Sequence, residues 1–322
     1  MSTKDTVLAI FERNRGFFVS GEQIASELNI TRTAVWKAVK ILQKEGYEIK
    51  AITNRGYCLS RDSDVLSARE IRNMLHDATD LRPEVFVSVG STNSVCREKA
   101  SQGESEGYVA IAGAQTAGRG RRGRSFFSPA DSGLYMSVLL RPENYTQDQV
   151  LRLTTMAAVA VSESIEELSD KKAEIKWVND IFVDGKKVCG ILSEALYDVK
   201  GITLDCVIVG IGINAYAPSG GFPAEISESA GCVFDKTEVG LKNRLAAEVL
   251  NRFMSYYHDM PSDYYDEYKK RSFVIGKDVK VISGDSIVSA HVLDLDEVCG
   301  LVVRYEDGTE EVLRSGEISI RV

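Results

Sequence analysis

Gln115-Thr116-Ala117-Gly118-Arg119-Gly120-Arg121-Arg122-Gly123-Arg124 sets four arginines and three glycines into the positions from Gly118 to Arg124, in a chain whose formal charge is -8. Glycine lets backbone approach a ligand closely, and a guanidinium fork pairs bidentately with phosphate or carboxylate, so the stretch suits a loop that closes over a small phosphorylated ligand. It also spells Gly-x-Gly-x-x-Gly. As a dinucleotide-binding turn it would place the chain among doubly wound parallel sheets, but that turn needs its third glycine to open a helix packed on the sheet. Gly123 is followed instead by Arg124-Ser125-Phe126-Phe127-Ser128-Pro129, an extended segment halted by proline. The Rossmann fold is therefore rejected, and the flanking segments decide the architecture.

Working outward, Val85 to Val89 is strand-like and leads into Ser91-Thr92-Asn93. A helix is predicted from about Thr146 to Leu168 and another from about Val239 to Tyr257. Between them Asp184-Gly185 is a hairpin turn joining Ile181-Phe182-Val183 to Val188 through Leu192, and Cys206 to Ile213 is a strand too apolar to face water on either side. This order predicts an α+β fold, with helices against a mostly antiparallel sheet. From about Phe273 short strands follow, Val279 to Ile282, Ile287 to Leu295, Leu301 to Tyr305 and Glu311 to Leu313, which predict a small β-barrel.

The N-terminal segment reads as a winged helix-turn-helix. A first helix covers roughly Asp5 to Arg13, Ser20 and Gln23 form a capping box for a second, and Thr31 caps a third, with Val35, Ala38, Val39 and Leu42 at i, i+3, i+4, i+7. The opposite face of the third helix carries Arg32, Thr33, Trp36, Lys37, Lys40 and Lys44, the chemistry of a DNA-recognition helix. Tyr47 to Leu59 alternates like a hairpin turning at Asn54-Arg55-Gly56, with Arg55 at the wing tip. A solvated helix in a protein-interaction domain is the alternative. Against it, residues 1 to 61 hold ten Lys/Arg and six Asp/Glu, whereas the rest hold 29 and 41, so a basic head sits on an acidic body and DNA is the expected partner of the head alone. Arg61 to Asp64 reads as a polar linker, and Ser67-Ala68-Arg69-Glu70 as a second capping box. The expected domains are 1–63, 64–271 and 272–322.

A chain of 322 residues can bury a sizeable core. The N-terminus lacks the apolar stretch of a signal peptide and no apolar run approaches a membrane span, so a cytoplasmic protein with no membrane partner is expected. The six cysteines are scattered without Cys-x-x-Cys spacing and the three histidines are isolated, which predicts free thiols and argues against a zinc site. No Gly-x-x-x-x-Gly-Lys-[Ser/Thr] loop is present, so phosphates must be met by Arg119, Arg121, Arg122, Arg124 and Lys187.

Ser91-Thr92-Asn93, the arginine loop, Lys176-Trp177-Val178-Asn179-Asp180, Gly185 through Leu192 and Gly210-Ile211-Gly212-Ile213-Asn214, in this order and spacing, closely resemble the bacterial biotin protein ligases. With the N-terminal segment the resemblance is to the bifunctional BirA type, ligase and biotin operon repressor, and it covers essentially the whole chain. It implies a class II synthetase-like catalytic domain and an SH3-like C-terminal barrel. It also implies ATP with its Mg2+ and biotin as substrates, biotinyl-5'-AMP as the intermediate, a lysine of the biotin carboxyl carrier protein as acceptor, operator DNA as partner, and a ligand-promoted homodimer.

The resemblance also distributes roles. Arg119 meets the biotin carboxylate, Arg121 and Arg124 hold phosphates with Arg122 beside them, and Lys187 neutralises charge on the α-phosphate and attacked carbonyl. Ser91, Thr92, Asn93 and Gln115 suit the ureido head, while Gly118, Gly190, Gly210 and Gly212 leave room for the biotin rings. Asn179 and Asp180 lie near the acyl-phosphate, Asp180 binding Mg2+ indirectly or orienting the amine, with no direct metal ligand. Asn214 and Arg321 reach ATP, and Phe126 covers the adenylate where most relatives have tryptophan; Val178 stands where they have proline. A ligand-sensing repressor without chemistry and a lipoate or octanoate ligase are the rivals.

Overall fold

The structure is a computed structural model that describes all residues except 1, 62, 77–79, 131, 143–146, 198–203, 260–262, 284–285, 315–316 and 321–322. It divides into two compact units: Met1–Ser67 with Lys236–Asn243, and Ala68–Asp235 with Arg244–Val322.

In the first unit α1 (Thr3–Arg13), α2 (Gly21–Leu28) and α3 (Arg32–Lys44) precede a hairpin of β1 (Ile49–Ile52) and β2 (Gly56–Leu59). Ser20 and Gln23 exchange the two bonds of a capping box, and the Thr31 hydroxyl accepts from the Ala34 amide. α1 starts earlier than the apolar pattern suggests, because Ser2 and Asp5 form a capping box of their own. Val7, Ile10, Phe11, Ile24, Val35, Val39, Leu42 and Leu59 close one core, each large side chain contributing about 1.5 to 3 kcal/mol through removal from water. Gly46 (φ 95°) and Gly56 (φ 96°) supply the left-handed backbone that ends α3 and tightens the hairpin. The segment expected to be a polar linker is packed instead. Ser63 and Asp64 are buried, and the Asp64 carboxylate accepts from the amides of Gly240 (2.9 Å) and Lys242 (3.0 Å). Free amides at a helix start attract an anion, which is why residues 236–243 belong with this unit.

The second unit opens with α4 (Ala68–Met74), β3 (Arg82–Phe86), α5 (Thr92–Ser101), β4 (Tyr108–Ala112), β5 (Gly133–Leu140) and α6 (Gln147–Ser169). There follow β6 (Ala173–Lys176), β7 (Asp180–Val183), β8 (Lys186–Tyr197), β9 (Leu204–Asn214), α7 (Leu241–Asp259) and α8 (Asp263–Arg271). The sheet order is β3-β4-β5-β9-β8-β7-β6, parallel only at β3/β4, so the expected mixed α and β character with a mostly antiparallel sheet is found. All eight residues of β5 are buried, as an interior strand covered on both faces requires. α5 packs on β4, β5 and β9, and α6 on β6 through β9. Asp184 (φ 53°) and Gly185 (φ 73°) adopt the left-handed pair of the tight hairpin expected there. β3 is shorter at its end than the apolar alternation implied: its ladder stops at Phe86, and Val89 joins Gln115 only through a single bridge.

The chain ends in a five-stranded antiparallel sheet, β10 (Asp278–Ser283), β11 (Ser286–Leu295), β12 (Leu301–Tyr305), β13 (Glu310–Leu313) and β14 (Glu317–Ile320), in the order β13-β12-β11-β10-β14. β14 was not among the expected strands. All six cysteines are free. Among the described residues no helix is long and apolar enough to cross a membrane.

Candidate active site

The arginine-glycine stretch connects β4 to β5 and folds back on itself. Gly120 N donates to the Arg124 carbonyl at 2.7 Å, Phe126 N to the Gly118 carbonyl at 2.9 Å, and Arg119 and Ser125 form an antiparallel bridge. Its tip is one 3-10 turn, Arg121–Gly123, with Arg122 at φ 54° and Gly123 at φ 73°. Gly118 is required by the loop's own packing, because a Cβ there would fall 2.5 Å from the Phe126 carbonyl and 2.6 Å from Ser128 Oγ. It does not line the cavity beneath the loop, although it was expected at biotin.

That cavity has a volume of about 150 Å3. Its floor is crossed by β8 and β9, where Gly190 and Gly212 are register partners and leave a window without side chains. The Phe126 ring lies on this window: a Cβ on Gly212 would sit 2.7 Å from Phe126 Cε1 and one on Gly190 3.2 Å from Cε2. Tyr135 meets the same ring edge to face at 6.4 Å. Gly210 lines the cavity too, but its missing Cβ makes room for Asn93, not for a ligand; a methyl there would collide with Asn93 Oδ1.

One wall is the start of α5. Ser91 occupies the N-cap position yet makes no side-chain cap bond, so its buried hydroxyl is not committed to the helix. The cap is supplied by Gln115, whose Oε1 accepts from Thr92 N (2.9 Å) and Thr92 Oγ1 (3.2 Å) while its Nε2 donates to Ser128 Oγ (3.0 Å). Ser137 Oγ lies 2.7 Å from Thr92 Oγ1 and 2.6 Å from Asn93 Oδ1, and Asn93 Nδ2 donates to Glu194 Oε2 at 2.8 Å. Ser91, Thr92, Asn93 and Gln115 all face the cavity, with Thr92 and Gln115 bonded to each other and Asn93 tied to Thr92 through Ser137.

The remaining walls are cationic. Arg119, Arg121, Arg122 and Arg124 all reach the cavity. Arg121 Nη1 donates to Asn179 Oδ1 at 3.1 Å, and Asn179 is itself pinned because its Nδ2 donates to the Ile191 carbonyl at 2.9 Å. Arg122 Nη2 donates to the Ile282 carbonyl of β10 at 2.9 Å, so this arginine ties the loop to the C-terminal sheet. Lys187 Nζ and Asp180 Oδ1 form an ion pair at 2.7 Å across the β7–β8 hairpin. Behind them, burial pushes the Cys189 thiol well up, with Lys187 opposing, so it stays protonated. Such a site can neutralise an anion, hold a flat ring against backbone and meet a neutral polar group, with no side chain activated as a nucleophile.

Asn214 does not line the cavity: at the end of β9 its Nδ2 donates to the Gly231 carbonyl at 3.0 Å. Arg321 lies outside the described residues. Sequence reasoning gave no role to Lys176, Trp177 or Ile318, which also line the cavity. Lys176 is the register partner of Asp180, a placement readable once Lys176 through Asp180 is seen as a hairpin. Ile318 comes from β14, inside the stretch Gly316 to Arg321 whose resemblance to a family motif gave a role to Arg321 alone. Among the described residues no group of three or more His, Cys, Asp or Glu could hold a metal ion.

In the first unit, Arg32, Thr33, Trp36, Lys37, Lys40 and Lys44 are all exposed on α3, Trp36 with 50% of its surface accessible. An amphipathic indole at the centre of a basic stripe joins a ring able to pack on a sugar or a base to cations for phosphate. Arg55 lies at the hairpin tip with its guanidinium 4.5 Å from the centre of the Phe18 ring.

Three family models match the chain: an HTH domain over residues 3–58, the biotin/lipoate A/B protein ligase family over 85–214, and the biotin protein ligase C terminal domain over 274–321. The bifunctional ligase/repressor BirA of Bacillus subtilis is 38% identical over 225 residues, 70% of this chain and 68% of that protein. Its namesake from Escherichia coli is 28% identical over 313 residues, 95% of this chain and 94% of that one. Among solved structures, the biotin protein ligase from Aquifex aeolicus in complex with biotin and ATP matches with a TM-score of 0.60 at 26% identity, covering 74% of this chain and 98% of that one.

Proposed function

The chain belongs to the bifunctional ligase/repressor BirA family of biotin protein ligases, and from that membership we infer that it consumes ATP to join biotin to a protein and also represses transcription. The observation that carries the catalytic half is the convergence of the loop arginines and the Lys187–Asp180 pair on one cavity with a polar wall and a glycine floor.

The biotin carboxylate attacks the α-phosphorus of ATP and pyrophosphate leaves; an acceptor lysine amine then attacks the carbonyl of biotinyl-5'-AMP and AMP leaves. Arg119 meets the carboxylate, Arg121 and Arg124 meet phosphate oxygens, and Lys187 faces the charge that develops on both reacting centres. Ser91 offers an uncommitted hydroxyl to the ureido head. Arg122 serves the loop's attachment to β10 as well as the nucleotide. Mg2+ arrives with ATP as part of the substrate, since Asp180 is already paired with Lys187. Phe126 covers the nucleotide by leaving the Gly190–Gly212 window or stacking above it. The acceptor is the biotin carboxyl carrier protein. Incubation of the chain with that carrier, biotin and ATP should add one biotin to one carrier lysine by mass spectrometry; no mass gain with active carrier would remove this reading.

For the head, the exposed basic face of α3 and the β1–β2 hairpin support recognition helix and wing, and the C-terminal sheet supports an SH3-like barrel beside a class II synthetase-like sheet. The domains on this reading are 1–63, 64–271 and 272–322, with residues 64–67 and 236–243 of the second packed in the N-terminal compact unit, in a cytoplasmic protein. A palindromic operator needs two heads, so the repressor is a homodimer. The intermediate orders four like-charged arginines and thereby acts as corepressor. Sedimentation with a non-hydrolysable adenylate analogue should show tighter self-association; equal association with and without it would refute the link.

A further inference from the structure

We propose that Glu194 is a positioning residue for substrate acid binding: it holds Arg119 in line with the ligand carboxylate while Arg97 keeps it from neutralising that arginine. The inference rests on the reading that Arg119 meets the biotin carboxylate.

A carboxylate beside a cavity built to receive anions repels its ligand, so its presence needs a cause. Glu194 lies on β8 opposite Ile208 with only 20% of its side chain accessible. Its Oε2 accepts from Asn93 Nδ2 at 2.8 Å, and Asn93 is the side chain that fills the gap over Gly210. Its Oε1 accepts from Arg97 Nη2 at 2.7 Å and lies 4.0 Å from Arg119 Nη1. Arg119 Nη2 in turn donates to Ser94 Oγ at 3.1 Å.

Glu194 therefore joins the wall of the cavity, through Asn93, to an arginine of the loop above it. The two distances decide how the charge is shared. Arg97 takes the short, hydrogen-bonded position and satisfies most of the carboxylate's demand. Arg119 stands at the outer limit of an ion pair, close enough to be oriented and too far to be consumed. Two arginines against one carboxylate leave one positive charge, and it faces the cavity. Were Arg97 absent, Glu194 would close on Arg119 and leave the ligand carboxylate without a partner. Half-exposed Arg119 would otherwise sample many rotamers, and a guanidinium binds a carboxylate well only when its fork is presented in plane.

The test is calorimetric binding of biotin and of its alcohol analogue, which keeps rings and chain but carries no charge, to the full chain. Wild type should prefer biotin. Glu194→Gln, which can still accept from Asn93, should weaken biotin at least tenfold and leave the alcohol unchanged. Arg97→Gln, a substitution on the exposed face of α5 that leaves the core intact, should produce the same selective loss. Equal weakening of both ligands by Glu194→Gln, or undiminished biotin binding by Arg97→Gln, would overturn the proposal. If wild type itself bound the two ligands alike, Arg119 would not meet the carboxylate, and the underlying reading would fall with the proposal built on it.

Discussion

Gly210→Ala should be among the most damaging single-methyl additions in the catalytic unit. An added Cβ collides with Asn93 Oδ1 and lies 2.9 Å from Asn93 Cγ, closer than packed carbons tolerate, and β9 cannot retreat because β5 and β8 flank it. Asn93 must therefore swing away. It then loses its bonds with Ser137 (2.6 Å) and Glu194 (2.8 Å) in a buried setting, at about 1 kcal/mol each, on top of an overpacking penalty of about 1 to 3 kcal/mol. The total is about 3 to 5 kcal/mol. Trp177 is buried and the chain's second tryptophan is Trp36, so urea unfolding followed by fluorescence in a Trp36→Phe background reads the catalytic unit alone. Asn93→Ala removes the obstacle, and adding Gly210→Ala to it should cost less than about 1 kcal/mol more, a coupling of at least about 2 kcal/mol. Additive losses would refute the steric account, because Gly210 would then be needed for some other reason.

Three further outcomes follow from the geometry. Arg121→Gly should still form some intermediate but release it, since the Asn179-held guanidinium is lost; chasing labelled adenylate from the mutant checks this, and release as slow as wild type would contradict it. Thr33→Ala and Trp36→Ala should reduce discrimination between operator and random DNA, whereas Lys40→Ala should weaken both alike and flatten the salt dependence, as filter binding across a salt series would show. The third concerns the ion pair of Lys269 with Asp294, at 2.7 Å between α8 and β11. Burial works against ionised Asp294, but the bond from Lys269, the Leu295 amide and the Lys269 charge together outweigh it and its pKa is lowered, while the same side-chain bond raises that of Lys269. A lowered carboxylate stabilises above its unfolded value of 3.8 and loses this as pH falls through its folded value; a raised ammonium stabilises below 10.5 and loses this as pH rises past it. Lys269→Met should thus cost stability only inside that window, and a stability difference that persists at pH 2 would count against the pair.

Local chemistry made much of this molecule readable. Ser20, Gln23 and Thr31 cap helices as their spacing implies, and Asp184-Gly185 turns the hairpin that brings Lys187 to Asp180. The contacts that escaped are those between distant segments. Asp64 caps a helix start near residue 240, which no window of sequence links to it. Glu194 and Asn93 meet across about a hundred positions, and Gly210 is glycine because of that meeting. Asn214 and Gly118 sit beside cavity residues in sequence, and here they face Gly231 and the loop's own backbone, contacts that proximity to a motif does not reveal. Arg122 was read with its arginine neighbours as a phosphate ligand, yet a left-handed backbone also delivers it to Ile282.

ATP–pyrophosphate exchange in the absence of any carrier, run in parallel with biotin, lipoate and octanoate, tests the central claim most directly. Biotin alone should drive exchange, and Lys187→Ala should abolish it while biotin still binds. Exchange driven by lipoate or octanoate in place of biotin, or none with any acid, would contradict the assignment of this cavity to biotin adenylation.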